Sequence, residues 1–212
     1  MLIAPSILNA NFGNLQAEID SIARCDRIHL DIMDGQYVPN LTIGAALLKS
    51  VDWKDLPIEA HLMVNNPENF FADFIDLGCM GITFHIENTG IDRALGLLQD
   101  LRSCGVKSGI CIDGYTSPDF LTDEILTLSD QILVMSVKAG FGGQAFMPES
   151  LDKIRSLRAR GYTGEIEIDG GACFDNMADI KAAGCDIAVV GSFLMKQVVP
   201  ERQKRLKALQ AV

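Results

Sequence analysis

The sequence predicts an α/β protein folded as one (β/α)8 barrel over residues 1–212, and three observations carry that expectation. Short β-rich apolar runs alternate with helical patterns eight times along the chain. The repeat length is about 26 residues, which suits a strand, a helix and two short connections. No linker, low-complexity tract or long charge run marks a boundary, so a single-domain TIM barrel is the expected architecture. A doubly wound open sheet shares the same period and is the alternative.

The strands are read at Leu2–Ser6, Arg27–Met33, Ile58–Val64, Gly81–His85, Lys107–Ile112, Gln131–Val137, Glu165–Asp169 and Ile187–Val190. Each is a short run bounded by polar or turn-forming residues. The helices between them are read at Phe12–Arg24, Ile43–Ser50, Pro67–Leu77, Ile91–Cys104, Ser117–Leu128, Pro148–Arg160, Phe174–Ala183 and Glu201–Leu209. Asn66-Pro67 and Ser117-Pro118 read as an N-cap followed by proline in the first helical position. Gly78, Gly105, Gly161 and Gly184 each follow a helix and suit a left-handed C-terminal cap.

Composition narrows the function. Apolar residues make up 48% and charged residues 22%, as in an ordinary globular protein. The run Met1–Ala4 is interrupted by Pro5 and lacks a basic flank, so no signal peptide is expected. No stretch approaches the roughly 20 apolar residues of a membrane span, so no membrane association is expected. The formal charge of −10 argues against nucleic acid and anionic membranes as partners. A small phosphorylated substrate remains compatible with it, because backbone N–H groups bind phosphate without net positive charge. The six cysteines are scattered without a C-x-x-C pair and read as buried, reduced thiols of a cytoplasmic protein.

Only three histidines exist, and all lie in or at the end of expected strands. The period of two places His29, Asp31 and Met33 on one face of the second strand and Ile28, Leu30 and Ile32 on the other. His61 and Met63 share a face of the third strand, and Asp169 joins Glu167 on the seventh. If the apolar faces meet the helices, the polar faces line the barrel near its mouth, where such residues read as catalytic. Each histidine alone reads equally as a hydrogen-bonded buried residue. Together His29, Asp31, His61 and Asp169 form an N/O donor set for one divalent metal ion, zinc foremost, with manganese, iron or cobalt as alternatives. His85 reads as a buried hydrogen-bonded residue and Asp34 as a partner orienting a ligand histidine.

Glycine-rich loops follow the last three strands: Gly140-Phe-Gly-Gly143-Gln144, Gly170-Gly171 and Gly191-Ser192. Glycines serve turns anyway, but three such loops at adjacent strand ends read as a phosphate cradle. Met33, Met63 and Met135 stand at strand ends, either as core filler or as an apolar cap over a reacting carbon.

Ala4-Pro-Ser-Ile-Leu8, His29-Leu-Asp-Ile-Met-Asp-Gly35 with Val38-Pro-Asn40, His61-Leu-Met-Val64, Gly140-Phe-Gly-Gly-Gln144 and Ile168-Asp-Gly-Gly171 resemble the ribulose-phosphate 3-epimerase family, in order and over nearly the whole chain. The resemblance implies an isomerase interconverting ribulose 5-phosphate and xylulose 5-phosphate. It implies Asp31 and Asp169 as the acid/base pair and His29, Asp31, His61 and Asp169 as metal ligands. It further implies Ser6 as a substrate contact, with Gly142, Gly143, Gly170, Gly171, Gly191 and Ser192 at the phosphate. The chain departs from the family pattern at Lys138-Ala139, Asp113-Gly114 and Ile86, beside the pocket. A ketohexose phosphate such as allulose 6-phosphate is therefore the alternative substrate. A non-catalytic sugar-phosphate sensor is a further alternative, and a homo-oligomer is compatible with the sequence.

Overall fold

The computed structural model describes residues 1–212. Its eight strands are β1 (Leu2–Pro5), β2 (Ile28–Met33), β3 (Ile58–Met63), β4 (Gly81–His85), β5 (Lys107–Ile112), β6 (Gln131–Met135), β7 (Glu165–Asp169) and β8 (Ile187–Val190). All neighbours are parallel, in the order β1-β8-β7-β6-β5-β4-β3-β2. A bridge between Ser6 and His29 links β1 to β2 and nearly closes the ring. The seam is weak for a local reason. Odd residues of β1 face β2, where the Ile3 N–H is taken by the Asp26 carboxylate at 2.9 Å and Pro5 has no N–H to give.

The helices are α1 (Leu15–Asp20), α2 (Ala45–Leu48), α3 (Glu68–Asp76), α4 (Ile86–Ser103), α5 (Asp123–Leu128), α6 (Ser150–Ala159), α7 (Phe174–Ala182), α8 (Ser192–Met195) and α9 (Val199–Gln210). None is long and apolar enough to cross a membrane. The outward residues of the strands, such as Ile28, Leu30, Ile32, Ile58, Leu62, Ile110, Ile132 and Ile168, pack with the helices in one core of 48 buried residues. Strands apolar outward and polar inward can bury both faces only as a closed ring with helices outside. That excludes the open sheet.

Several helices differ from the expected bounds. The first splits into a 3-10 turn (Phe12–Asn14) and the short α1. The Ser117–Leu128 pattern also divides: Ser117 caps a 3-10 turn with Pro118 at its start, and Thr122 caps α5 by accepting the Ile125 N–H. Asn66 does not cap α3; its side chain accepts from Arg93 at 3.1 Å. Helix α4 begins five residues early and kinks at Gly90, whose φ is 68°. Helix α8 was not anticipated, because four residues carry too little period to read. The glycines after α3, α4, α6 and α7 take the left-handed conformation as expected, with φ of 89°, 78°, 85° and 98°.

Candidate functional site

The register that pairs Asp31 with His61 and Asp169 with Val189 brings these side chains to one level inside the ring. Strands β2 and β7 are separated by β1 and β8, yet donor atoms of His29, Asp31, His61 and Asp169 all lie within 4.8 Å of one another. His61 Nδ1 stands 3.1 Å from Asp31 Oδ1 and 3.8 Å from Asp169 Oδ2. His29 Nε2 is 3.6 Å from Asp31 Oδ1. The Ser6 hydroxyl donates to Asp31 Oδ2 at 2.5 Å.

The two carboxyls differ in proton affinity. Burial pushes Asp169 up to about 7, reinforced by the nearby Asp31 charge and opposed by His29. Burial acts on Asp31 in the same direction, but His29 and His61 beside it overcome that and hold it well below the usual carboxylate range. Burial lowers His61 to about 4 despite Asp31.

These residues fit a divalent ion on the structure's own terms. His29 Nδ1 engages Glu59 Oε1 at 3.1 Å, which leaves Nε2 as a buried nitrogen without a hydrogen-bond partner, aimed at the cluster. Two imidazole nitrogens and two carboxylates are borderline-to-hard donors in a number that suits zinc, manganese, iron or cobalt.

Above the cluster opens a cleft that is continuous with solvent. Ser6, Asp31, Asp169, Met33, Met63 and Met135 line its base. The methionines pack with Val38, Cys111, Leu133 and Val137 into an apolar layer inside the ring. Gly142, Gly143, Gly170, Gly171, Gly191 and Ser192 line its wall. Two positions show why glycine is required. A methyl on Gly170, where φ is 120°, would stand 2.5 Å from Val137 Cγ2, and one on Gly171, where φ is 65°, would stand 2.8 Å from Phe146 N. Asn40 Nδ2 donates to the Gly140 carbonyl at 2.8 Å, and Gln144 Nε2 bonds the Lys138 and Phe141 carbonyls, so this loop is braced from both ends.

Asp34 corrects one expectation. It orients no histidine: Oδ1 accepts the Gln36 and Tyr37 N–H groups and Oδ2 the Asn65 N–H, so it ties together the loops after β2 and β3. Five consecutive residues of loop after a strand leave donors to satisfy, and Asp34 is within reach of them. The cysteines are corrected in part, since Cys104 at the end of α4 is exposed and Cys173 half-buried, while the other four are buried.

His85 is buried and hydrogen-bonded, as expected, with its Nε2 2.9 Å from His61 Nε2. Two further features lay outside the expectations from sequence. Lys196, exposed just past α8, places Nζ 3.5 Å from where a methyl on Gly143 would lie. A polar floor lies below the cluster, where Arg27 bonds Glu59 at 2.8 Å and Gln131 Nε2 bonds Glu167 at 2.5 Å. The period-two signal that located His29 also put Arg27, Glu59, Gln131 and Glu167 on the inner face, so the floor was within reach of the same argument.

Comparison with known proteins agrees with this geometry. The profile of the ribulose-phosphate 3 epimerase family matches residues 2–195. A protein of Mycobacterium leprae (strain TN) named ribulose-phosphate 3-epimerase is 42% identical, over 90% of this chain and 86% of its own. One of the same name from Escherichia coli (strain K12) is 40% identical over 97% and 96%. Among solved structures, 3-hexulose-6-phosphate synthase superposes with a TM-score of 0.73 at 14% identity, covering 100% of this chain and 99% of that one. A chain of the tryptophan synthase complex of Pyrococcus furiosus does so with 0.71 at 15%, covering 100% and 98%. At such identities these two structures speak for the barrel alone. The match along nearly the whole chain, together with relatives at this level of identity, means that the protein belongs to the ribulose-phosphate 3-epimerase family.

Proposed function

We propose that the chain is a cytoplasmic isomerase, a metal-dependent ribulose-phosphate 3-epimerase interconverting D-ribulose 5-phosphate and D-xylulose 5-phosphate. The observation that carries this reading is the pair Asp31 and Asp169, two carboxyls brought together from separated strands at the base of a cleft walled by glycine loops. The names of its relatives support the substrate.

Inverting carbon 3 of a ketose requires one group to remove its proton and another to return a proton on the opposite face. The group that begins as carboxylate takes the carbon-bound proton, and the electron pair passes into the neighbouring carbonyl to give a planar enediolate. The group that begins as carboxylic acid then protonates the other face. The two aspartates end with their proton states exchanged, so the reverse reaction uses the same pair in opposite roles. Met33, Met63 and Met135 cover the reacting carbon and exclude water that would quench the enediolate. Ser6 orients Asp31 and touches substrate.

His29, Asp31, His61 and Asp169 would hold one divalent ion, zinc foremost. Bound there, the ion supplies Lewis acidity to the substrate's carbonyl and hydroxyl oxygens. Gly142, Gly143, Gly170, Gly171, Gly191 and Ser192 offer the substrate's phosphate their backbone N–H groups and a hydroxyl, and the Lys196 ammonium adds positive charge beside Gly143.

The test is solvent-deuterium incorporation at carbon 3 of ribulose 5-phosphate and of allulose 6-phosphate, with metal-loaded and chelated protein. Exchange into the pentose phosphate that requires metal is the expected result. Faster exchange into the hexose phosphate would reassign the substrate, and no exchange into either would leave only a binding role.

A further inference from the structure

His61 and His85 are both fully enclosed, with their Nε2 atoms 2.9 Å apart, their ring centroids 5.0 Å apart and their planes within 22° of each other, so the rings meet edge to edge. Two imidazole nitrogens at that distance share one proton: one carries N–H and the other presents a lone pair. Which is which follows from the far side of His85. Its Nδ1 stands 3.2 Å from Glu87 Oε2. Glu87 already faces two groups that can only donate to a carboxylate in this geometry. The Asp113 N–H reaches Oε1 at 2.7 Å, and the Tyr37 hydroxyl reaches Oε2 at 3.5 Å. A carboxylate ringed by donors accepts from the third as well, so the His85 proton sits on Nδ1. With its proton on Nδ1, His85 turns a bare Nε2 toward His61, and His61 must donate from its own Nε2. Its Nδ1 is left with a lone pair, facing Asp31 at 3.1 Å and Asp169 at 3.8 Å.

A lone pair aimed at two carboxylates repels them unless a cation lies between. His29 reaches the same end by the opposite nitrogen, since Glu59 engages its Nδ1 and leaves Nε2 free. We infer that His85 and Glu87 are positioning residues, a relay that locks His61 as the Nε2–H tautomer and so keeps its Nδ1 open for a divalent cation. The inference rests on the metal reading above. It also gives Ile86 a place: it is buried in the outer core between the two relay residues and pins the turn that sets their spacing.

Two measurements test it. On zinc-loaded wild-type protein, long-range 1H–15N correlation of the imidazoles reads each tautomer directly. The expected pattern is His85 protonated at Nδ1, with His61 protonated at Nε2 and metal-bound through Nδ1. A His85 proton on Nε2, or zinc on His61 Nε2, overturns the relay. The second is zinc affinity by competition with a chromophoric chelator for wild type, His85→Leu and His85→Gln. Glutamine offers one acceptor and one donor and can stand in the chain; leucine offers neither. His85→Leu is expected to bind zinc about 10- to 100-fold more weakly, and His85→Gln to recover most of the loss. Leucine and wild type binding zinc equally well removes the relay alone. Wild type that binds no zinc removes the metal reading, and the relay with it.

Discussion

Asp31 and Asp169 share one cleft, but their surroundings treat their charges differently. Asp31 is flanked by His29 and His61 and hydrogen-bonded by Ser6, whereas Asp169 answers chiefly to burial and to Asp31 itself. Replacing Asp169 by Asn keeps its shape and removes both its proton chemistry and the charge it offers an ion. Asp169→Asn is expected to lower kcat by about 100- to 10,000-fold with an unchanged circular dichroism spectrum. A rate near wild type would take Asp169 out of the chemistry. At the cleft wall, Lys196→Met is expected to raise KM for the phosphorylated substrate about two- to fivefold, with kcat little changed, because an exposed charge contributes modestly. Adding salt to wild-type protein should erase much of that difference; an unchanged KM would leave Lys196 without a part in phosphate binding. His29, Asp31, His61 and Asp169 were legible as a group because strand alternation fixes facing without knowledge of the fold. The partners of the histidines were not. Asp34 is near in sequence but touches neither ligand ring, while Glu59, Glu167 and His85 come from other strands whose register no local pattern reveals.

At the scale of elements, all eight strands lie where alternation placed them, to within two residues at their ends, because a buried parallel strand leaves a dense apolar outer face. Helices were harder to bound. Phe12–Asn14 and Pro118–Phe120 are 3-10 turns whose polar caps, Asn11 and Ser117, begin a helix-like pattern that tertiary packing does not extend. The loops after β6 and β7 form a further element in their own right. Gly171 fits only because it has no side chain beneath the Phe146 backbone. Gly171→Ala adds left-handed strain of about 1–2 kcal/mol to that clash. The expected result is a raised KM and a lower Tm, by activity assay and thermal melt. Unaltered values for both would mean that this loop yields without consequence.

For the whole molecule, the interior is layered by polarity. A polar floor of Arg27, Glu59, Gln131, Glu165 and Glu167 supports the acid and histidine layer, which lies under the methionines and the open cleft. Arg27 is the cation that reaches deepest into this floor, with its side chain 4% exposed. Arg27→Leu strands buried carboxylates without their partner and is expected to cost about 3–5 kcal/mol in urea denaturation. A loss below about 1 kcal/mol would show that lost packing, not charge, is all that the arginine contributes. The floor also fixes Glu59, and through it His29, so its rigidity reaches the cluster above. The most direct measurement is a crystal structure of the protein grown with zinc. The expected result is one ion bonded by His29 Nε2, His61 Nδ1 and one carboxylate oxygen from each of Asp31 and Asp169. Zinc absent from this position, with the four side chains turned away from a common centre, would contradict it.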